Sequence, residues 1–353
     1  MKLKYWLLLL LLSLIFVGCS QSNQKINNST QSHLPIVKTP EKRNETLLHT
    51  VVQISIYHKN QEKVLDEAIS YIEEMEKLLS TNIVGSDIYR INHAKGKPTK
   101  VDERSFELIK QALEISKESD GKFDISIGVV TNLWQIGSEN ARLPSDEEIK
   151  QALPMINYHD IVLNDSDKTV QIKEGMILEL GGISKGYIAD RVKDFLASKG
   201  VTTAIINLGG NVVVMGTSPN NSEGWKVGIQ DPEKTRGVTV GFVYQEDSSI
   251  VTSGIYERYF EENGKRYHHI IDPKTGYPIE NQISGVTVFT KTSTQGDGLS
   301  TSLFLLGIDE GLELVNQIEG VEAIFIDKNH GIHLSNGLKE SFELTHGDYY
   351  IEK

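Results

Sequence analysis

The order of helical and strand patterns along the chain is the feature that most restricts its fold. Helical apolar spacing marks residues 60–79 and 105–119, whereas alternating or short apolar runs typical of strands dominate elsewhere. Further helices are predicted at 183–199, 298–306 and 309–317, and strands at 50–57, 176–180, 202–208, 211–215, 225–230, 238–244, 250–253, 284–290, 322–326 and 331–334, with a hairpin in 256–271. Because the elements intermix without strict β-α-β alternation, the sequence favours an α+β fold of mixed sheets with packed helices.

The N-terminus has the pattern of a secretory signal. Lys2 and Lys4 precede an apolar run that ends in Gly18-Cys19, and this run is short for a membrane-spanning helix. Cys19 is the single cysteine of the chain and stands where a bacterial lipobox carries its lipidated residue, which also excludes intrachain disulfides. We therefore predict a lipoprotein signal peptide over residues 1–18 and lipidation at Cys19, with an ordinary secreted protein as the alternative.

Composition divides the rest of the chain into a tether and a folded unit. Residues 19–44 are rich in Ser, Asn, Gln and Lys, which predicts a flexible tether, and residues 45–353 are predicted to form one catalytic domain. The formal net charge of −12 argues against a nucleic-acid partner. An anionic ligand would need local help from a metal ion, lysines or helix N-termini.

A strand that ends in two glycines and runs directly into a helix is predicted at Glu179–Tyr187. Glycine lets the backbone approach a ligand closely, and the free N–H groups of the helix N-terminus, together with Lys185, suit an anion. A structural turn with a solvated lysine explains the local pattern equally well.

Two further segments carry groups that can bind a metal ion or a proton. If a helix begins near Asp297, this carboxylate and the Thr301 hydroxyl share one face and suit magnesium, although the segment alone favours Asp297 as a helix N-cap. His268 and His269 should point to opposite faces of a strand, so at most one of them faces a given site.

Together the segments resemble, in order and spacing, the ApbE family of FAD:protein FMN transferases from about residue 45 to near the C-terminus. The matching stretches are Gly121–Trp134, Glu179–Tyr187, Asn207–Asn211, Ser253–Tyr259, His269–Gly276 and Asp297–Thr301. The chain departs from the family pattern at Leu48-His49, where Met-Gly is typical, and at Asn82, where many members carry tyrosine.

The resemblance implies an ApbE-like, T-fold-type catalytic unit with FAD as substrate and Mg²⁺ as cofactor. It implies that Asp297, Thr301 and a backbone carbonyl near Gly182 hold the metal ion. The residues implied to contact FAD or line its pockets are Lys185, Glu179, Asn82, Lys122, Phe123, Asp124 and Ile271. A threonine of an acceptor protein would attack the phosphorus nearest the flavin and expel AMP, with His269 as the candidate base for the hydroxyl proton.

The resemblance also implies partners and alternatives. The expected acceptors are exported proteins with an Asp-Gly-x-[Ser/Thr]-Gly-Ala-Thr-like motif, such as subunits of Rnf-type or sodium-pumping NADH:quinone reductases or extracellular electron-transfer lipoproteins. The enzyme is expected at the extracytoplasmic face of the cell membrane. Asn82 leaves room for water, so hydrolysis of FAD to FMN and AMP is one alternative. A flavin-carrying lipoprotein and a non-catalytic flavin-binding lipoprotein are two others.

Overall fold

The computed structural model describes residues 34–352, so the predicted signal peptide and Cys19 lie outside the described residues. The helices in this range are α1 (Glu62–Leu79), α2 (Asp87–Asn92), α3 (Glu103–Glu118), α4 (Gly128–Trp134), α5 (Asp146–Ala152), α6 (Ser184–Ser198), α7 (Ser293–Leu306) and α8 (Ile308–Val315). The strands are β1 (Ile36–Leu47), β2 (Thr50–His58), β3 (Thr99–Lys100), β4 (Val162–Asn164), β5 (Thr169–Gln171), β6 (Ala204–Leu208), β7 (Asn211–Met215), β8 (Trp225–Gln230), β9 (Thr239–Gln245), β10 (Ser248–Gly254), β11 (Tyr259–Glu262), β12 (Lys265–His268), β13 (Ile283–Thr290), β14 (Glu322–Asp327), β15 (Gly331–Leu334), β16 (Glu343–Leu344) and β17 (Tyr350–Ile351).

A nine-stranded sheet in the order β1-β2-β6-β7-β10-β13-β14-β15-β17 forms the centre of the fold. Its strands pair antiparallel except for β15 and β17, which run parallel. Three smaller sheets have the orders β11-β12, β16-β9-β8 and β3-β5-β4. The predicted α+β architecture of mixed sheets and packed helices is confirmed.

Both faces of the central sheet are covered, and strand β14 shows how its side chains divide between the two faces. Along β14, Ala323 and Phe325 pack into one apolar cluster with side chains of α7, whereas Ile324 and Ile326 pack into another with side chains of β8 and β9. This alternation follows from the two-residue period of a strand. The helices therefore lie on one face and the β8-β9-β16 sheet on the other.

The structure corrects three predictions about elements. Residues 36–44, predicted as tether, belong to β1, because their backbone pairs with the neighbouring strand β2 at the edge of the sheet. The predicted strand at 176–180 is reduced to a single bridge between Ile127 and Ile177. Helix α7 begins at Ser293, five residues before the predicted start, so Asp297 lies within the helix.

No helix between residues 34 and 352 combines the length and the apolar character that crossing a membrane requires.

Candidate active site

Backbone and side-chain hydrogen bonds bring three of the singled-out segments together. The Glu179 N–H donates to the Ile125 carbonyl at 2.7 Å, which fixes Glu179–Tyr187 beside Gly121–Trp134. The indole N–H of Trp134 donates to the Gly276 carbonyl at 2.8 Å and so attaches the turn that follows His269. Segments far apart in sequence therefore form one continuous region.

Helices α6 and α7 meet where both begin, and Asp297 lies at this junction. Its Oδ2 accepts a hydrogen bond from the Gly186 N–H at 2.8 Å, and its Oδ1 lies 3.5 Å from Lys185 Nζ. Asp297 is thus not the cap of its own helix; it binds the first turn of α6. Only 4% of Asp297 is exposed, so this carboxylate is held firmly with one oxygen committed to the backbone.

The residues implied as magnesium ligands fit a hard cation in their chemistry and in the space beside them. A Cβ at Gly182 would lie 3.7 Å from Thr301 Oγ1 and 3.1 Å from the Phe123 ring, so a side chain here would take up the place beside the hydroxyl and crowd the ring. Asp297 Oδ1, the Thr301 hydroxyl and backbone carbonyls are all oxygen donors, as magnesium prefers. Within residues 34–352 no group of three or more His, Cys, Asp or Glu could hold a metal ion, so any site here depends on neutral oxygens as well.

Glu179 presents a half-buried carboxylate at the entrance to α6. Its Oε1 accepts the Gly181 N–H at 2.7 Å, which fixes the turn between the two segments. Burial raises the pKa of Glu179, and the Gly181 N–H and the nearby positive charge of Arg258 partly counteract this rise. Hydrogen bonding to a nucleotide hydroxyl or ring nitrogen is within the chemistry of such a group.

The two adjacent histidines have different surroundings, as their alternation predicts. Both ring nitrogens of His268 are used by the backbone, since Nε2 lies 3.0 Å from the Ile279 carbonyl and Nδ1 accepts from the Ile270 N–H. His269 Nδ1 lies 3.2 Å from the Arg258 carbonyl, which can only accept, so Nδ1 carries the hydrogen and Nε2 has a free lone pair.

His269 is neutral at ordinary pH. Desolvation, followed by the positive charge of Arg258, lowers its pKa to about 3, and Lys185 contributes in the same direction. Its free Nε2 can therefore accept a proton, and the negative charge of an incoming phosphate would raise this pKa toward a value more useful for a base.

The remaining predicted contact residues differ in how directly they can reach a ligand. The Asp124 carboxylate is buried and saturated by the Ser126 N–H and hydroxyl and the Tyr158 N–H, and its pKa is raised chiefly by desolvation. Ile271 is buried beside Trp134, whereas Lys122 is half-buried. Asp124 thus stabilises a loop. The buried side chain of Ile271 leaves mainly its backbone for contact with a ligand.

Asn82 lies in an exposed loop between α1 and α2, where its backbone N–H bonds to the Ser80 hydroxyl. Across the part of the chain that the structure describes, no hydrogen bond joins its side chain to the Asp297 region. Its proposed place beside the nucleotide stays a prediction.

The sequence profile of the ApbE family matches residues 48–325 of the chain, which includes every segment of this region. The chain belongs to the ApbE family. The predicted family is confirmed.

Known members of the ApbE family match nearly the whole chain. A FAD:protein FMN transferase from Klebsiella pneumoniae (strain 342) is 36% identical over 307 residues, which cover 86% of this chain and 95% of that protein. Another from Treponema pallidum (strain Nichols) is 32% identical over 329 residues, covering 88% and 91%. The crystal structure of the ApbE protein from Thermotoga maritima MSB8 matches with a TM-score of 0.79 at 30% identity and covers 86% and 99%. The predicted enzyme class, a transferase, is confirmed.

Within this ApbE-family site, some residues had no role assigned from sequence. Ser300 Oγ donates to the Asp297 carbonyl at 2.8 Å and lies 2.8 Å from Ser253 Oγ, so the hydroxyl is engaged within the protein. Arg258 supplies the carbonyl that orients His269. Ser253 and Arg258 belong to the motif Ser253–Tyr259, which signalled their importance without indicating what they contact.

Proposed function

We propose that the protein is a magnesium-dependent FAD:protein FMN transferase that attaches FMN to a threonine of exported acceptor proteins and releases AMP. We further propose that it works at the extracytoplasmic face of the cell membrane, anchored through a lipid on Cys19. Membership of the ApbE family supports the reaction. The observation that carries the proposal is the junction at which Asp297 lies beside Lys185, with Thr301 next to Gly182.

The residues at the junction suit a pyrophosphate in complementary ways. Asp297 Oδ1, Thr301 Oγ1 and a backbone carbonyl near Gly182 would hold Mg²⁺, which when bound offsets negative charge on the phosphates. Lys185 adds a fixed positive charge in the first turn of α6, where the helix dipole also favours an anion. With a side chain only 20% exposed, Lys185 keeps this charge close to Asp297.

The proposed transfer breaks the phosphoanhydride bond of FAD and forms one phosphoester bond to the acceptor. The threonine oxygen of the acceptor forms a bond to the phosphorus of the FMN half, and the bond from that phosphorus to the bridging oxygen breaks, so that AMP leaves with the bridging oxygen. The hydroxyl proton passes to His269 Nε2, which the Arg258 carbonyl holds in the accepting tautomer.

The test incubates the full-length chain with FAD, Mg²⁺ and an acceptor domain that carries the Asp-Gly-x-[Ser/Thr]-Gly-Ala-Thr-like motif. AMP release and covalent flavin fluorescence of the acceptor are measured separately, and we expect both together. AMP without a labelled acceptor would identify an FAD hydrolase, and no AMP with or without acceptor would refute the catalytic proposal.

Asp297→Asn tests the assignment of the junction. Because the amide removes a negative oxygen facing the metal ion and Lys185, AMP release should fall by about 100-fold or more. Asp309→Asn changes an exposed aspartate on α8 and should leave the rate unaltered. Equal rates for Asp297→Asn and the unmodified chain would remove Asp297 from the mechanism.

A further inference from the structure

Helices α6 and α7 fix each other's first turn through a pair of aspartates. Neither helix has a side-chain hydrogen bond from its own N-cap residue, which is Ile183 in α6 and Thr292 in α7. Asp190 of α6 instead accepts from the N–H groups of Ser293 and Thr294 at 2.7 and 2.8 Å. Free N–H groups at the start of a helix require such partners when they are buried.

The exchange is reciprocal, because Asp297 of α7 binds the first turn of α6 through the Gly186 N–H. The helices approach so closely that a Cβ at Gly186 would lie 2.1 Å from the Ser293 carbonyl oxygen. Each aspartate lies in the second turn of its own helix, so the two helix starts form one interlocked unit.

The two aspartates differ in the partners of their carboxylate oxygens. Asp190 uses both oxygens, since Oδ2 also accepts from the Thr294 hydroxyl at 2.6 Å. Within residues 34–352 no salt bridge or hydrogen bond joins Asp190 to Lys185. Asp297 commits Oδ2 to the backbone and keeps Oδ1 beside Lys185. Asp190 therefore has a purely internal role, whereas Asp297 faces the site.

We propose that Asp190 is a positioning residue that sets the place of Asp297 and Thr301 for divalent-metal binding by holding the start of α7. The inference rests on the proposed function. Thr294 and Thr301 are seven residues apart and lie on the same side of α7, two turns from each other. A shift of the first turn of α7 therefore displaces both metal-binding oxygens relative to Gly182, which α6 and its preceding turn hold in place.

The expected loss of metal affinity in an Asp190 variant can be estimated from other groups that orient metal ligands. Loss of such a partner commonly weakens metal affinity by about 10- to 100-fold while the ligands themselves remain. Asp190→Asn keeps the size of the side chain but turns an N–H donor toward the donors of α7. We expect this variant to bind a divalent cation about tenfold more weakly or worse.

The experiment titrates the purified full-length chain in detergent with Mn²⁺, followed by electron paramagnetic resonance, which needs no turnover. FAD binding without divalent cation is measured in parallel by flavin fluorescence. Asp327→Asn is the matched control, because Asp327 is also 8% exposed and accepts two backbone N–H groups and one side-chain contact. It is the last residue of β14, before the turn to β15. Thr294→Val is a milder variant that removes only the hydroxyl bond to Asp190.

We expect Asp190→Asn to raise the Mn²⁺ dissociation constant about tenfold, Thr294→Val to raise it about threefold, and Asp327→Asn to leave it unchanged. FAD binding without metal should be the same in all four proteins. A wild-type Mn²⁺ affinity in folded Asp190→Asn and Thr294→Val, or equal weakening in Asp327→Asn, would overturn the positioning role alone. If the unmodified chain itself binds no Mn²⁺, the metal site of the proposed function fails and the positioning role fails with it.

Discussion

Asp297 divides its two carboxylate oxygens between two partners in α6. Oδ2 accepts the Gly186 N–H, and Oδ1 lies beside Lys185. A glutamate is one methylene longer and could not keep both relationships in a junction this close, and an asparagine offers only one accepting oxygen. The chemical identity of this residue is therefore fixed by two separate demands.

His268 makes the fold sensitive to mild acid. Burial lowers the pKa of His268 to about 4, whereas an unfolded histidine titrates near 6.5. Between these values the unfolded chain binds a proton that the folded chain does not, so the free energy of unfolding falls as pH decreases from 6.5 toward 4. His268→Gln should flatten this slope by at most about 1.4 kcal/mol per pH unit, measured by urea unfolding across the range.

The pKa of His330 is shifted in the opposite direction from that of His268. Its hydrogen bond to Glu233 raises the pKa of His330, so its contribution to stability is complete below pH 6.5 and is lost as pH rises through the folded-state value. His330→Gln should therefore leave the slope below pH 6.5 unchanged. Identical slopes in the unmodified chain and His268→Gln between pH 6.5 and 4 would contradict the assignment to His268.

At the scale of elements, the sequence correctly predicted helices and strands whose formation depends on residues close together in the chain. Helix α1 and the β11-β12 hairpin lie close to their predicted positions, because helical apolar spacing and the Asn263-Gly264 turn act within a few residues. Strand β1 was missed because its sequence is largely charged and polar. It is held at the edge of the sheet by backbone pairing, which side-chain periodicity does not reveal.

The start of α7 was missed for a different reason. Ser293 and Thr294 are ordinary turn residues, and no side chain next to them in sequence caps the helix. Their N–H groups are bound by Asp190, more than 100 residues earlier in the chain. A helix start that depends on a distant carboxylate is not visible in a local window, and so the role of Asp297 was also misjudged from its segment alone.

Gly186→Ala tests how closely α6 and α7 must approach. The added methyl would lie 2.1 Å from the Ser293 carbonyl oxygen and 2.8 Å from Asp297 Cβ, so the helices must separate. We expect a loss of about 1–3 kcal/mol in the free energy of unfolding, together with weaker divalent binding. Gly347→Ala, where a Cβ meets nothing within 4 Å, is the control and should change neither property. An unaltered melting temperature and cation affinity in Gly186→Ala would show that the junction tolerates separation.

At the scale of the whole molecule, the order of motifs predicted the family, whereas the contacts within the site required the fold. Glu179–Tyr187 and Asp297–Thr301 are more than 100 residues apart, yet they meet where α6 and α7 begin. The resemblance to the family identified from sequence which residues belong to the site. The partner of each Asp297 oxygen and the tautomer of His269 follow only from the packing of the elements.

The proposed lipid anchor leads to a prediction for the full chain. Acidic residues outnumber basic ones by 48 to 36, so electrostatic attraction to anionic lipid adds nothing and attachment must depend on the lipid itself. Cells fed an alkyne-labelled fatty acid should label the unmodified chain and the control Ser20→Ala, but not Cys19→Ser, because Cys19 is the single cysteine. The labelled chain should stay with the membrane in 1 M salt, where the screening length is only about 3 Å, and should leave it in detergent. Label retained by Cys19→Ser, or release of the unmodified chain by salt, would contradict lipidation at this residue.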